Sequence, residues 1–287
     1  MIVLGLDIGG SSSRACLSED GKVLGEAAGP GANVATLGPR LIATRLSTLL
    51  ASLAPVRPDA CCAGSAGAEV PAGKTRLERL LKRTYPAAVV SVVHDTRLVL
   101  AAAGLEAGIV LIAGTGAVAY GRTGDGREAR AGGWGPLLGD EGSATWCVRE
   151  AAREVMRRSD AGDSPGVLGE ALFAAVGARS PQEMTGKLHR MREASDWASI
   201  AGVVFDAAAI DPGAASVIAG AAEALRGWVD VIRKRLSITG PVVLAGGLLL
   251  NQPRLIQAVQ QRIENATPLE AAPVAGAVRL AEASLRP

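Results

Sequence analysis

The sequence contains few aromatic residues and few cysteines. Only 3% of its 287 residues are Phe, Trp or Tyr, and only four are cysteines. None of the cysteines forms a Cys-x-x-Cys pair. Cys61 and Cys62 are adjacent, so on a strand they would point to opposite faces. This spacing argues against a shared metal site, and a disulfide framework is not expected in so long a chain.

An excess of charge of one sign is also missing. The 30 basic and 28 acidic residues leave a net charge of +2, whereas binding to nucleic acid or anionic membranes usually requires a concentrated basic face. The densest group of arginines, residues 149–158, is interrupted by Glu150 and Glu154, which is typical of a solvated helix face. We therefore expect no nucleic-acid partner and no membrane partner.

Long apolar runs are absent as well. No run approaches the roughly 20 residues that a membrane helix requires. The apolar N-terminal run has no basic start and already contains Asp7, which is unlike a secretion signal. Because 48% of the residues are hydrophobic, the chain can bury one large core or two of ordinary size. We expect a soluble, cytoplasmic protein.

Strand and helix patterns alternate along the chain, and the opening pattern returns in the middle. Residues 2–18, IVLGLDIGGSSSRACLS, and 109–123, IVLIAGTGAVAYGRT, both predict a strand, a turn of Gly, Ser or Thr, and a returning strand. A repeat of this kind predicts two lobes of related α/β design. We place the N-terminal lobe at 1–104 and the C-terminal lobe at 105–272, with a final helix at 273–287 that packs back on the first lobe.

Three further segments fix the expected element order. Asp20-Gly21 is a strong hairpin signal between the second and third strands. The apolar run 87–93 predicts a strand buried on both faces, and a helix follows it. Helical patterns dominate from 143 to 236, and a glycine-rich loop from 132 to 142 precedes them.

The first glycine-rich turn joins the first two predicted strands. It reads Asp7-Ile8-Gly9-Gly10-Ser11-Ser12-Ser13-Arg14. Glycines let a backbone turn tightly and bring its N–H groups against an anion, and a carboxylate at a strand end can hold Mg²⁺ through water. An ordinary Gly/Ser hairpin has the same pattern, and short glycine motifs often occur in turns that bind no phosphate. The turn is not a P-loop, because no Gly-Lys-Ser/Thr follows it.

Two more glycine turns follow apolar strands. Gly114-Thr115-Gly116 could bind a second phosphate through backbone donors. Gly246-Gly247 would allow a flat ligand such as adenine to approach the backbone closely. Taken singly, the first is equally a hairpin turn, and the second is more simply a strand-to-helix turn.

Asp95 directly follows the apolar strand predicted at 87–93. A carboxylate at the C-terminal end of a strand faces the usual cleft of an α/β protein, and an Asp can accept the proton of a substrate hydroxyl in phosphoryl transfer. Asp is also a favoured N-cap, here for a helix expected from Thr96. Position alone favours the capping role slightly.

The loop GGWGPLLGDEGS, residues 132–143, combines glycines, a Trp and two adjacent acids. Sugar hydroxyls are bound by carboxylate acceptors beside an apolar surface. Asp140, Glu141 and Ser143 could instead cap the following helix, but capping does not account for so many glycines. Loops of such specialised composition commonly carry function.

The order and spacing of these segments resemble the N-acetylglucosamine kinase and BadF/BadG/BcrA/BcrD-type ATPase family. This family belongs to the superfamily of actin, sugar kinases and heat-shock chaperone ATPases. The resemblance covers essentially the whole chain and is most specific in GGWGPLLGDEGSATW, residues 132–146. It implies a two-lobed actin-like ATPase fold of the ribonuclease H-like type, with mixed sheets flanked by helices and the active site in the interlobe cleft.

The resemblance also implies roles for individual residues. Asp95 would be the catalytic base that takes the proton from the sugar's 6-hydroxyl, and Asp7 would organise Mg²⁺. ATP would be bound by the two phosphate segments and the adenosine segment, which comprise Gly9, Gly10, Ser11, Ser12, Ser13, Gly114, Thr115, Gly116, Gly246 and Gly247. The sugar would contact Asn33, Ser65, Gly133, Trp134 and Asp140.

The implied activity is transfer of the γ-phosphoryl group of ATP to an amino sugar, N-acetylglucosamine or glucosamine, by a homodimer. N-acetylmuramic acid or another hexose is an alternative acceptor. A different function within the resemblance is an ATPase that activates an acyl-CoA dehydratase or reductase. That role requires an iron–sulfur cluster held by suitably placed thiolates, which the cysteine spacing disfavours. A non-catalytic sugar or nucleotide sensor is the third possibility, although the residues implied as base and metal ligand are all present.

Overall fold

The structure is a computed structural model that describes residues 1–10, 12–34, 37–53, 56–65, 67–68 and 70–286. Within these residues, two five-stranded sheets are flanked by helices, and each sheet mixes parallel and antiparallel pairs. The chain divides into two compact units. Unit 1 comprises Met1–Glu106 and Leu269–Pro287, and unit 2 comprises Ala107–Pro268. Elements are numbered in chain order across both units.

The sheet of unit 1 has the strand order β3-β2-β1-β4-β5. Its strands are β1 (Ile2–Ile8), β2 (Ser12–Glu19), β3 (Lys22–Pro30), β4 (Ala60–Ser65) and β5 (Val89–His94). The first three strands form an antiparallel meander, whereas β4 and β5 continue from β1 in parallel. Because β1, β4 and β5 are parallel, their C-terminal ends lie at one edge of this sheet.

Helices cover both faces of this sheet. They are α1 (Pro39–Ala51), α2 (Pro71–Thr84), α3 (Asp95–Ala102) and α12 (Pro273–Ala283). Leu4, Leu6 and Ile8 pack in the core that includes residues of α1 and α2. Val3 packs in a separate core with residues of α3 and α12. Each fully buried leucine or isoleucine contributes about 1.5–3 kcal/mol through removal of apolar surface from water.

The adjacent cysteines follow the alternation expected from the sequence. Cys61 belongs to the core on the α1 and α2 side of the sheet, and Cys62 belongs to the core on the α3 and α12 side. The prediction that they point to opposite faces is confirmed, so the two thiols cannot bind one ion together.

The expectation that the strand at 87–93 is buried on both faces is wrong. The strand, β5, starts at Val89 and lies at the edge of the sheet, where β4 is its one partner among the described residues. The Val89 side chain is 45% exposed. The continuous apolar run therefore predicted a strand correctly. It could not predict the position of that strand in the sheet, because an edge position depends on which strands pair.

Helix α12 crosses α3 at very close range. A Cβ atom added to Gly276 would lie 1.9 Å from the carbonyl oxygen of Leu98, so only glycine permits this approach. Arg279, one turn later, donates hydrogen bonds from Nη1 to the carbonyl oxygens of Ala101 and Ala102, at 2.9 and 2.8 Å. The guanidinium thus satisfies backbone acceptors at the C-terminal end of α3.

We expect Gly276→Ala to destabilise the protein although alanine is the better helix former. The added methyl group must push α12 away from α3, and overpacking of this kind costs about 1–3 kcal/mol. Gly227→Ala is the matched control, because a Cβ atom there meets no atom within 4 Å in helix α9 (Pro212–Leu236). It should stabilise by about 0.5–1 kcal/mol. Calorimetric unfolding tests the pair, and equal effects of the two substitutions would contradict the crowded crossing.

The sheet of unit 2 repeats the design of the first. Its strands are β6 (Gly108–Ala113), β7 (Ala117–Arg122), β8 (Glu128–Gly132), β9 (Val242–Ala245) and β10 (Ala266–Pro268), in the order β10-β9-β6-β7-β8. As in unit 1, the first strand starts an antiparallel meander on one side and has two parallel strands on the other. The repeat detected in the sequence therefore corresponds to two sheets of the same topology.

The remaining helices belong to unit 2. They are α4 (Ala144–Asp160), α5 (Gly166–Val176), α6 (Pro181–Leu188), α7 (Ala194–Ser199), α8 (Gly202–Ala207), α9, α10 (Gly247–Asn251) and α11 (Pro253–Gln260). Helix α9 buries Leu225, Val229 and Ile232 in the core shared with β6 and β7.

No single helix of the described residues is both long and apolar enough to cross a bilayer. The segments Ala194–Ala207 and Pro212–Leu236 meet that criterion only when they are joined across a bend of 118°.

Candidate active site

The first glycine turn closes the hairpin between β1 and β2. Gly9 donates its N–H to the carbonyl oxygen of Ser12 at 3.0 Å, and a Cβ atom at Gly9 would lie 2.9 Å from that same oxygen. A Cβ atom at Gly10 would meet nothing within 4 Å. The turn thus needs glycine at position 9 and opens onto free space at position 10. Ser11 lies outside the described residues.

Ser13 differs from its exposed neighbour Ser12. It pairs with Ile8 across the sheet, its side chain is 1% exposed, and its Oγ has no hydrogen-bond partner within the described residues. Ser65, at the end of β4, also pairs with Ile8 and is completely buried. Both serines therefore flank the same strand end on the same face of the sheet. A buried hydroxyl without a partner is unfavourable by about 1–3 kcal/mol, which a polar ligand would relieve.

Asn33 lies in the segment after β3 and is half-buried between Ala32 and Val34, which are both buried. Its carbonyl oxygen accepts the N–H of Leu37 at 3.1 Å. Ala32 and Val34 belong to the core on the α1 and α2 side of the sheet, as Ile8 does. This packing fixes the backbone of the segment that presents Asn33.

Asp7 lies one residue before the end of β1, on the opposite face from Ser13. It pairs with Arg14 in β2 and with Gly64 in β4. Burial and, after it, the charge of Asp95 raise the pKa of Asp7 to about 6, while Arg14 opposes the shift. Among the described residues nothing donates a hydrogen bond to its carboxylate. Two carboxylates that repel each other, one without donors, suit a hard divalent cation such as Mg²⁺.

Asp95 is the first residue of α3, directly after the end of β5. Its Oδ1 accepts the N–H of Thr96 at 2.8 Å and lies 3.0 Å from Nδ1 of His94. Within the described part of the chain, Oδ2 accepts no hydrogen bond. The capping role that the sequence allowed is therefore present, but it occupies one carboxylate oxygen and leaves the other for a substrate.

The second glycine turn, in unit 2, packs against the start of a helix. Gly114 donates its N–H to the carbonyl oxygen of Gly116 at 2.8 Å. The first two residues of α4 bond to the turn: the Ala144 N–H reaches the Gly114 oxygen at 2.9 Å, and Thr145 Oγ1 reaches the Thr115 oxygen at 2.9 Å. The positive end of the α4 dipole therefore lies beside this turn, which favours an anion there.

Asp140 anchors the glycine-rich loop to the same turn. It is buried, with a left-handed φ of 59°. Its Oδ1 accepts the N–H of Gly135 at 3.2 Å, and a Cβ atom at Gly116 would lie 2.7 Å from Oδ2. Burial raises the pKa of Asp140, while hydrogen bonds from the N–H groups of Gly135 and Ala117 oppose this shift. The residue implied as a sugar ligand thus also holds its own loop in place.

The rest of that loop has a fixed base and an apolar tip. Arg130 Nη2 donates to the carbonyl oxygen of Gly133 at 2.5 Å, and Arg149 Nη1 donates to that of Pro136 at 2.6 Å. The large apolar residues next to these anchors, Trp134, Leu137 and Leu138, are 76–91% exposed. Hydrogen bonds therefore fix the backbone around Gly133 and Trp134, whereas the apolar side chains of the loop are exposed to solvent.

The third glycine turn touches the second. Gly246 has a left-handed φ of 94°, and a Cβ atom there would lie 2.4 Å from the carbonyl oxygen of Ala113 at the end of β6. A Cβ atom at Gly114 would lie 3.8 Å from the backbone nitrogen of Gly247. Unit 2 therefore brings Gly114–Gly116, Gly246–Gly247, the start of α4 and Asp140 together.

Gly116→Ala tests this arrangement. The new methyl group would displace the Asp140 carboxylate or the turn, at about 1–3 kcal/mol, and we expect the KM for ATP to rise about tenfold or more. Gly124→Ala is the control, because position 124 is exposed and a Cβ atom there meets nothing within 4 Å. Steady-state kinetics at varied ATP provide the measurement. An unchanged KM in a folded Gly116→Ala protein would contradict a ligand at this turn.

The four cysteines are buried and unbridged. Burial raises the pKa of Cys147 to about 12, and it also raises the pKa of Cys16, Cys61 and Cys62. Iron–sulfur clusters are held by thiolates, which these environments disfavour. In the ranges that the structure describes, no group of three or more His, Cys, Asp or Glu side chains could hold a metal ion.

Comparison with known proteins gives a family match and a fold match. The model of the BadF/BadG/BcrA/BcrD ATPase family matches residues 4–281. An N-acetylmuramic acid/N-acetylglucosamine kinase from Clostridium acetobutylicum is 31% identical over 134 residues. That alignment covers 46% of this chain and 44% of the relative, so the match spans less than half the length of this curated relative.

Among solved structures, a protein from Chromobacterium violaceum, provisionally named an N-acetylglucosamine kinase, is 25% identical. It aligns with a TM-score of 0.77 over 97% of this chain and 98% of its own. A ROK family glucokinase from Streptomyces griseus, solved with glucose and AMPPNP, is 14% identical with a TM-score of 0.61 over 99% of both chains, which shows the fold alone. The actin-like α/β fold expected from the sequence is confirmed.

Proposed function

The chain belongs to the BadF/BadG/BcrA/BcrD ATPase family, and on that premise we propose that it is an ATP-dependent amino-sugar kinase. It transfers the γ-phosphoryl group of ATP to the 6-hydroxyl of N-acetylglucosamine or glucosamine, with N-acetylmuramic acid or another hexose as the alternative acceptor. The observation that carries the proposal is the pair Asp7 and Asp95. The charge of Asp95 contributes to the raised pKa of Asp7, and among the described residues one oxygen of Asp95 is left for a substrate.

Asp95 acts as the base in this proposal. Oδ1 is fixed by the N–H of Thr96, so Oδ2 accepts the proton of the sugar hydroxyl as the bond to phosphorus forms. A carboxylate so held also orients the attacking oxygen, and orientation supplies much of the rate in phosphoryl transfer.

Asp7 holds Mg²⁺ through water in this proposal. The fit rests on its raised pKa and on the lack of donors to its carboxylate within the described residues. An ion bound there would neutralise charge on the transferred phosphoryl group. Asp7 itself remains a fixed acceptor that orders the water ligands.

The glycine turns bind ATP in this proposal. The phosphates contact the turn of Gly9, Gly10, Ser11, Ser12 and Ser13 and the turn of Gly114, Thr115 and Gly116, the second of which lies beside the start of α4. Adenosine lies at Gly246 and Gly247 in this proposal, and at Gly246 only glycine permits the close packing of the backbone against Ala113. The unpartnered hydroxyl of Ser13 supports a polar ligand on its side of the turn.

The sugar contacts Asn33, Ser65, Gly133, Trp134 and Asp140 in this proposal. Ser65 supports this through its place beside Ile8 at the end of β4, and Trp134 through its exposed apolar surface on a held backbone. On the family resemblance alone, we further propose that the chain acts as a homodimer in the cytoplasm.

An assay of ADP release tests the proposal. Purified protein, ATP and Mg²⁺ are combined with N-acetylglucosamine, glucosamine, N-acetylmuramic acid, glucose or no sugar. We expect strong stimulation by one amino sugar and little turnover without sugar. ATP hydrolysis that no sugar changes, or no hydrolysis at all, would contradict a kinase. The first of these results would favour the activator function and the second a sensor.

A further inference from the structure

His94 occupies a position that the proposed mechanism does not yet use. It ends β5, precedes Asp95, and its ring is mostly buried. Nδ1 lies 2.7 Å from Oγ1 of Thr96, which is completely buried, and 3.0 Å from Oδ1 of Asp95. The buried hydroxyl of Thr96 therefore fixes the ring beside the proposed base.

The contact with Asp95 decides which ring nitrogen carries a hydrogen. A nitrogen lone pair and a carboxylate oxygen repel each other at 3.0 Å, whereas an N–H on Nδ1 is attracted to that oxygen as well as to Thr96 Oγ1 at 2.7 Å. The N–H of Thr96 lies 2.8 Å from Asp95 Oδ1 but 3.4 Å from His94 Nδ1. The carboxylate is thus the better acceptor at the start of α3, and Nδ1 is not needed as a cap.

We propose that His94 is a positioning residue for Asp95, to which it donates Nδ1–H. Oδ1 then receives two donors, from His94 and from Thr96, and Oδ2 faces the sugar hydroxyl. This inference rests on the proposed kinase function, in which Asp95 is the base.

The physical effect is to fix a carboxylate that would otherwise rotate. The terminal torsion of an Asp side chain has a broad, two-fold profile. Repulsion between the charges of Asp7 and Asp95 favours rotation of the Asp95 carboxylate away from Asp7. Two donors on one oxygen fix that torsion. The proton of the sugar hydroxyl passes to Oδ2 while the new O–P bond forms and the bond to ADP breaks, and His94 keeps its own proton throughout.

Nitrogen NMR of the histidine rings tests the donor role without any enzyme assay. The chain has only two histidines, His94 and His189, so ¹⁵N-histidine labelling gives two rings, which His189→Gln assigns. At pH 8 we expect His94 to carry hydrogen on Nδ1. Its Nδ1 signal should shift in Asp95→Asn, while that of His189 should not. An Nδ1 of His94 without hydrogen, or one insensitive to Asp95→Asn, would overturn the inference.

Kinetics of three variants separate positioning from helix capping. His94→Asn keeps an N–H donor near the place of Nδ1, so kcat should stay within about threefold of wild type. His94→Leu should lower kcat by about tenfold or more, with the sugar KM within about twofold, because misplacement of a reacting group affects rate before binding. His94→Asp caps a helix well but adds a carboxylate beside Asp95, so its kcat should fall as in His94→Leu.

Two kinetic outcomes would overturn the inference. One is wild-type kcat in His94→Leu, and the other is equal kcat in His94→Asp and His94→Asn. If the wild-type protein phosphorylates no sugar, the proposed function fails on its own, and the ring NMR still decides whether His94 donates to Asp95.

Discussion

Asp95→Asn is expected to lower kcat for sugar phosphorylation by about a thousandfold, within the usual range for loss of a general base. The amide has the shape of the carboxylate, and its oxygen can still accept the N–H of Thr96, so the start of α3 is preserved. It cannot take a proton from the sugar. The dissociation constants of sugar and nucleotide, measured by titration calorimetry, should therefore change little.

Asp59→Asn is the matched control. Asp59 lies just before β4, at the opposite end of the same sheet, and its Oδ2 also accepts one backbone N–H, that of Ile2 at 2.8 Å. This control should leave kcat unchanged. Near-normal kcat in Asp95→Asn would show that another group is the base. A parallel loss in both variants would show that the effect is structural.

Asp7→Asn is expected to abolish activity and, at neutral pH, to stabilise the protein. Burial and the charge of Asp95 raise the pKa of Asp7 to about 6 from 3.8. The folded state therefore disfavours the charged form. The free energy of unfolding falls as pH rises from about 4 to about 6, by on the order of 1–3 kcal/mol. Asparagine carries no charge, so the variant avoids this loss.

Urea unfolding of both proteins across pH 4–8 measures the effect. The two curves should approach each other near pH 4, where Asp7 is largely protonated, and separate above pH 6 in favour of Asp7→Asn. Loss of activity together with a gain in stability is a combination that misfolding cannot produce. A variant that is less stable than wild type at pH 7.5, or that remains active, would contradict a strained carboxylate kept for function.

Local sequence signals predicted the turns of this fold well. Asp20-Gly21 was expected to form a hairpin turn, and both residues adopt left-handed φ angles, 48° and 81°. The glycine turns after β1 and β6 both join antiparallel strands, as the repeated pattern of a buried strand followed by small residues predicted. Such signals succeed because a turn depends on a few neighbouring residues.

Features that depend on distant pairing could not be predicted in the same way. The edge position of β5 follows from its pairing with β4 alone, and the three-residue strand β10 exists because it pairs with β9. Strand β8 was missed because its glycine end was interpreted as part of the following loop. The local hydrophobic pattern does not indicate which strand pairs with which.

The candidate site shows the same limit. Strand-end position alone singled out Asp7 and Asp95. The influence of Asp95 on the pKa of Asp7 acts across β4, where Gly64 beside Asp7 has no side chain. The contact of Asp140 with Gly116 and the contact of His94 with Asp95 are likewise matters of side-chain direction. The sequence provides residue types, whereas the fold decides which oxygen remains for a substrate.

The position of phosphate in the product tests the central claim most directly. The reaction with the preferred amino sugar should yield one phosphomonoester, and phosphorus–proton correlation NMR should connect its phosphorus to the two protons on carbon 6. A phosphate attached at the anomeric carbon, or ATP consumed with no phosphorylated sugar formed, would contradict a 6-kinase that uses Asp95 as its base.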